Sequence, residues 1–151
     1  MSGKSPLCGI HAATVAPLKD DFSVDHSALK ELISDICSIQ GIEGFLINGH
    51  AGEHAQLSSV EKTQVIKSVC DVVSKSLYVT SGVYSENTLQ AAEEAENAER
   101  AGADALLVFP PNGWALGQER KSILAHHMAI SNATELPLLL YQAPVFAGHM
   151  A

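Results

Sequence analysis

The chain has 151 residues, enough for one domain with a sizeable core, and at 46% hydrophobic and 17% charged residues it is not a disordered polymer. Its net charge of −8 argues against a nucleic-acid backbone or an anionic membrane as partner, because either would want clustered Lys and Arg. No apolar run approaches the roughly 20 residues of a membrane span, residues 1–6 lack the apolar core of a secretory signal, and Cys8, Cys37 and Cys70 contain no C-x-x-C pair, so the expectation is a cytoplasmic protein with reduced, largely buried thiols and no zinc site built from them.

Residues 9–16 predict a first strand, stopped by Pro17. A helix should begin near Val24 or Asp25, with Asp25 suited to the positive end of its dipole. Leu29, Leu32, Ile33, Ile36 and Ile39 then recur at helical spacing, and Gly41 is the expected stop. Phe45, Leu46 and Ile47 form an apolar run without alternation, which predicts a strand covered on both faces. Gly49 and Gly52 bracket the loop after it, where they should let the backbone turn sharply. Ser58 and Glu61 have the spacing of a capping box, so a second helix is predicted over 59–74 with Val65, Ile66, Val69, Val72 and Val73 inward.

Residues 77–81 predict the third strand, ended by Gly82. Ser85 is the expected cap of a third helix reaching Ala101, with Leu89, Ala92, Ala95 and Ala98 inward and Glu93, Glu94, Glu96 and Glu99 on a solvated face. Gly102 closes it, and residues 105–109 predict the fourth strand, followed by the irregular loop 110–114. A fourth helix is predicted over 118–131 with Ile123, Leu124, His127 and Met128 as its apolar stripe and His126 exposed. The fifth strand is expected at 138–141, broken by Gln142, Ala143 and Pro144. Strand starts near 9, 44, 77, 105 and 138 give a regular βα alternation, the pattern of a parallel sheet. That repetition fits an open doubly wound sheet or part of an eight-stranded barrel, and in either fold ligands bind at the carboxyl ends of the strands.

Four stretches carry a more specific signal. Gly49-His50-Ala51-Gly52-Glu53 after the second strand resembles the Gly-x-x-Gly-Glu loop of the dihydrodipicolinate synthase and N-acetylneuraminate lyase family. Tyr141-Gln142-Ala143-Pro144 resembles that family's Tyr-Asn-x-Pro, residues 13–18 resemble its first strand, and Ala101-Gly102-Ala103-Asp104 is similar to its approach to strand four. The resemblance implies an α/β chain forming a partial (β/α)₈ TIM barrel, about the first five strands and four helices, with residues 1–151 the N-terminal part of a single domain. It also implies a class I aldolase or related lyase acting on pyruvate or another 2-oxo acid, with a lysine nucleophile forming a Schiff base. The family pattern assigns the proton-relay phenol to Tyr141 and the substrate carboxylate to Gly49, His50, Ala51 and Gly52, with no metal and no cofactor, in a homo-oligomer. The Schiff-base lysine would follow Tyr141 by about one βα unit, beyond Ala151. Lys4, Lys19, Lys30, Lys62, Lys67, Lys75 and Lys121 all fall in the tail, loops or helices.

Two departures narrow the expectation. His50 and Ala51 stand where the family usually has hydroxyl residues, and Pro110-Pro111-Asn112 replaces its Pro-Tyr-Tyr. Both point away from the dihydrodipicolinate reaction and toward another 2-oxo acid aldolase, lyase or dehydratase. Plainer readings stand beside these. Residues 49–53 could be an ordinary strand-to-helix turn, Tyr141 a core tyrosine bonded to backbone, and Trp114 either a cover for the site mouth or an interface, or a packed loop residue. His50-Ala51-Gly52-Glu53-His54 also matches the H-x-x-E-H pattern of one metallopeptidase class, but that chemistry requires a continuous helix, which Gly52 and the preceding strand oppose. A non-catalytic half-barrel that uses its open sheet edges for assembly is the alternative from a different functional class.

Overall fold

The computed structural model describes residues 8–142, so the readings placed on residues 1–7 and on Ala143 and Pro144 lie outside the described part. The elements alternate as predicted: β1 Ile10–Ala13, α1 His26–Cys37, β2 Ile42–Ile47, α2 Ser59–Cys70, β3 Tyr78–Val83, α3 Thr88–Ala101, β4 Ala105–Val108, a 3₁₀ turn Asn112–Leu116, α4 Arg120–Ser131 and β5 Leu138–Leu140. All four pairings are parallel, and the five strands lie in the order β1-β2-β3-β4-β5. A doubly wound sheet reverses its strand order at a switch point. Strict chain order, with each helix packed on the next, is instead the wall of a barrel. The chain forms its first five strands and four helices.

Register explains which side chains face which way. Leu46 pairs with Thr80, Thr80 with Ala105, and Leu107 with both Gly82 and Leu139, so these residues share the concave face. Leu46, Thr80, Leu107 and Leu139, with Gly9 and His11, line a groove of about 250 Å³ along mid-strand. The alternate residues Phe45, Ile47, Val79, Val83, Leu106 and Val108 are buried under the helices, where they meet Leu29, Ile33, Val65, Ile66, Val69, Ala91, Ala95, Ala98 and Ile130. Each large side chain buried this way contributes about 1.5–3 kcal/mol relative to exposure.

Local chemistry sets the ends of the helices. Asp25 caps α1, its Oδ1 accepting from the N–H groups of Ser27 and Ala28 at 3.0 and 3.1 Å. Ser58 and Glu61 form the predicted capping box at α2. Asp104 fixes the start of β4 by exchanging bonds with Val79: its backbone N–H donates to the Val79 carbonyl at 2.8 Å, and its carboxylate accepts from the Val79 N–H at 2.9 Å.

Several expectations are corrected. Helix α1 ends at Cys37, before Gly41, and Ile39 is exposed. Helix α2 ends at Cys70, leaving Val72 and Val73 partly buried beyond it. The cap of α3 is Asn87, while Ser85 accepts from the Asn87 N–H one step earlier. Ala95 and Ala98 face inward as expected, joined by Ala91 and Ala101 rather than Leu89 and Ala92, and Leu89 is 78% exposed. On α4 the buried residues are His126 and Ile130, whereas Leu124 and Met128 are exposed. Gly82 lies inside β3 rather than ending it, and Cys8 is exposed. Among the described residues no helix is long and apolar enough to cross a membrane.

Candidate functional site

At its carboxyl end β2 runs into Asn48, which takes a left-handed conformation with φ 51°. The Asn48 side chain is buried and its Nδ2 donates to the Lys62 carbonyl and to Ser81 Oγ, both at 3.1 Å. These two bonds tie the turn to α2 and β3. The chain then winds into a compact turn in which the N–H groups of Gly52 and His54 donate to the Gly49 carbonyl and that of Glu53 to the His50 carbonyl. Glu53 is the second left-handed residue, with φ 53°. The reversal predicted at Gly49 and Gly52 is therefore made by Asn48 and Glu53, residues that tolerate this region less readily than glycine. Gly52 serves close approach instead: a Cβ there would lie 3.3 Å from the Thr14 carbonyl oxygen and 3.5 Å from the Asn48 nitrogen. Gly82 does so more strongly, since a Cβ would lie 2.0 Å from the Asn48 carbonyl oxygen.

The turn meets the ends of three other strands through aromatic rings. His50 lies edge-on to Tyr141 with 5.1 Å between ring centroids, and 4.6 Å from Phe109. Phe109 also contacts Tyr141 at 4.7 Å and His54 at 4.6 Å. His54 stacks nearly parallel on Tyr84 at 4.7 Å and lies 4.9 Å from His50. Of the residues expected at the site, Gly49 and Gly52 are buried in the turn, His50 and Ala51 are exposed, and Tyr141 is half-buried just past β5, its N–H bonded to the Val108 carbonyl at 2.9 Å. The turn's own bonds consume the amides of Gly52, Glu53 and His54 but not that of Ala51. His50, Glu53, His54, Ala55 and Gln56 line a cavity of about 160 Å³.

Sequence reasoning missed His54, Tyr84 and Phe109. The signal was strand alternation: Thr80 and Gly82 lead to Tyr84 on the concave side, and Leu107 leads to Phe109. Two buried charges support Tyr84. Lys62 and Glu94, 8% and 9% exposed, pair at 2.7 Å. Lys62 Nζ donates to the Tyr84 carbonyl at 3.0 Å, and Glu94 accepts from the Tyr84 N–H at 3.2 Å. Glu94 thus leaves the solvated face assigned to it. The Tyr84 hydroxyl donates to Glu86, which also accepts from the Asn112 and Gly113 N–H groups. Burial, then this bond and the Glu86 charge, push the Tyr84 phenol up to about 12.

His54 is 3% exposed, and its Nδ1 has no hydrogen-bond partner among the described residues. Burial lowers its pKa to about 4, reinforced by the nearby His50 and Lys62 charges and opposed by the Asn48 carbonyl, so the imidazole is neutral at pH 7. Residues 50–56 form turns rather than a helix, which removes the geometry that H-x-x-E-H chemistry requires. Among the described residues no group of three or more metal-ligating side chains converges. Trp114 is buried against His126 and His127 of α4, at 5.2 and 5.7 Å between centroids, which makes it a packed loop residue.

The profile of the Dihydrodipicolinate synthetase family matches residues 6–150. A 4-hydroxy-tetrahydrodipicolinate synthase of Cutibacterium acnes is 33% identical over 145 residues, covering 95% of this chain and 49% of the relative. A dihydrodipicolinate synthase of Acinetobacter baumannii, solved in complex with pyruvate, superposes with a TM-score of 0.80 at 33% identity over 91% of this chain and 46% of that one. A prophage protein of Escherichia coli K12 from the dihydrodipicolinic acid synthase family, also solved with pyruvate, gives a TM-score of 0.85 at 25% identity over 94% and 47%. The chain spans about half the length of the relatives it matches.

Proposed function

Because the chain belongs to the dihydrodipicolinate synthetase family of class I aldolase-type lyases, we propose that it supplies the carboxylate-binding turn and the proton-relay phenol of a lyase site for pyruvate or a related 2-oxo acid. The observation that carries this reading is the meeting of His50 and Tyr141, far apart in sequence, at 5.1 Å above the carboxyl ends of β2 and β5. The Ala51 N–H, not used by the turn's own bonds, donates to the substrate carboxylate, with Gly49 and Gly52 shaping the turn around it and the exposed His50 imidazole beside it. Tyr141 exchanges a proton with the reacting carbon. The electron sink is an imine between the 2-oxo group and a lysine outside these 151 residues. Among the described lysines, Lys62 comes near the strand ends, and it is held in a buried ion pair.

Borohydride reduction in the presence of pyruvate, read by intact mass, tests the reading. It is run on this chain and on a version extended through the next two βα units. An adduct on the extended version alone is the expected result. No adduct on either refutes the imine reading.

A second reading, a non-catalytic half-barrel that assembles through its open sheet, draws on the exposure of Ile10 at 66% and Leu140 at 64% on the edge strands and on the 250 Å³ concave groove. It requires a concentration-dependent dimer in sedimentation; a monomer across the whole range removes it.

A further inference from the structure

We propose that His126 is an acid-operated latch: uncharged, it seats Trp114 and holds the loop after β4 against α3 and α4, and on taking a proton from solvent it releases that loop. His126 is 3% exposed, and its Nδ1 lies 2.9 Å from Thr88 Oγ1 of α3. Its Nε2 is buried and has no hydrogen-bond partner among the described residues. A neutral imidazole carries one proton, and the Thr88 hydroxyl can donate to Nδ1 or accept from it. An imidazolium carries two. Its Nε2–H would be a charged donor out of water with nothing to receive it, a state that burial strongly opposes. The cost falls when whatever covers the ring moves aside.

Trp114 is that cover. Its ring stands edge-on to His126 at 5.2 Å between centroids, and it alone is buried among residues 112–120. Glu119 makes no capping bond at the start of α4, and Leu116 is 94% exposed. Beyond Pro111 the loop therefore hangs on the Trp114 seat and on the bonds from the Asn112 and Gly113 N–H groups to Glu86. Glu86 also accepts from the Tyr84 hydroxyl at 2.8 Å, so a loosened loop is felt at the wall of the candidate site. What that does to a 2-oxo acid rests on the reading of the site above, but the latch itself does not. The titratable groups that bear on His126 are His127, beside it on α4, and Glu86 from the segment between β3 and α3. Burial first, and then His127, hold the His126 pKa below its ordinary value, while Glu86 pulls it up. Its contacts on α3 and the 3₁₀ turn are Thr88 and Trp114, neither of which titrates, and Glu119, Arg120 and Lys121 are exposed. His127 is fixed separately, its Nδ1 donating to the Ile123 carbonyl at 2.8 Å.

Trp114 is the single tryptophan of the chain, so its emission reads the latch directly. The chain is titrated between about pH 8 and 4.5, the span in which imidazoles ionise, while emission maximum, acrylamide quenching and far-ultraviolet circular dichroism are followed. Below about pH 6.5 the emission is expected to move to the red and quenching to rise while the dichroism holds. The transition is lost in His126→Phe, which fills the site with a ring that cannot ionise, and in His126→Asn, which keeps a partner for Thr88. It persists in His54→Phe, which lacks the other buried imidazole, and moves to higher pH in His127→Gln, which removes the neighbouring charge. A transition that survives in a folded His126→Phe or His126→Asn chain, or that vanishes in His54→Phe or His127→Gln, overturns the assignment to His126. No red shift down to pH about 4.5, or one that coincides with loss of the dichroism, overturns the latch. No substrate is involved, so these outcomes are separate from the borohydride result.

Discussion

Replacing Lys62 with Met tests the buried bracket around Tyr84. The native ammonium spans Glu94 at 2.7 Å and the Tyr84 carbonyl at 3.0 Å, with both charged side chains under 10% exposed. Met keeps the length of the side chain and its apolar contacts but leaves a buried carboxylate facing no cation and a carbonyl that has lost its donor. Removing one member of a buried ion pair costs about 3–5 kcal/mol, because the remaining charge stays desolvated. The double variant Lys62→Met, Glu94→Leu removes both charges. It leaves the N–H and C=O of Tyr84 unbonded, at roughly 1–3 kcal/mol each, but no uncompensated ion. Its loss should therefore fall short of the sum of the two single losses by an interaction energy of about 0.5–3 kcal/mol. Urea unfolding followed by far-ultraviolet circular dichroism measures all four species, and Trp114 fluorescence gives a second probe of the same transition. A Lys62→Met chain within about 1 kcal/mol of the parent, or strictly additive losses in the double variant, would refute the argument.

Two further predictions follow from the same turn. The pKa of His54 is depressed to about 4 in the folded chain, so the unfolded chain binds the extra proton as pH falls below about 6.5. Stability should hold above that pH, decline between about 6.5 and 4 by up to roughly 3 kcal/mol, and level off below. The decline should shrink in His54→Phe, and an unchanged acid limb in thermal unfolding between pH 7 and 4 would contradict the assignment. Gly82→Ala should push β3 and the Asn48 turn apart, because the added methyl would sit 2.0 Å from the Asn48 carbonyl oxygen. Amide exchange is expected to accelerate in the turn and at Ser81 while the α3–α4 region keeps its protection; uniform protection across the chain would show that the backbone absorbs the methyl.

The βα alternation was legible because β1, β2, β4 and β5 are short apolar runs next to a glycine or proline, β3 is rich in strand-forming residues, and the helices bear apolar stripes. What failed was the facing of individual residues: on α3, Ala95 and Ala98 face inward as read, but Leu89 in the first turn faces out and Ala91 faces in. His126 is buried because Thr88 of α3 reaches its Nδ1 at 2.9 Å, a contact between helices that no local pattern announces. Glu94 reads as solvated among its acidic neighbours, and its burial depends on Lys62, distant in sequence. At the candidate site, His50 and Tyr141 were reachable through motifs. Tyr84 and Phe109 required knowing where each strand ends, since a strand's alternation assigns a ring to the site only when continued past its last ladder bond, and His54 lies in the turn, where no such alternation applies. The left-handed turn positions were misplaced for a related reason: glycine signals permission for such a conformation, not its use, and here Asn48 is held in it by bonds to α2 and β3.

The strand order has a consequence for how such a chain is born. Each strand from β2 to β5 pairs with the strand made just before it, so its template has already left the ribosome when it emerges. At roughly 5–20 residues per second, synthesis of one βα unit takes seconds, far longer than the microseconds to milliseconds in which local structure forms. The wall can therefore be laid down unit by unit during translation. Through that interval its growing edge and concave groove stay open to whatever reaches them first.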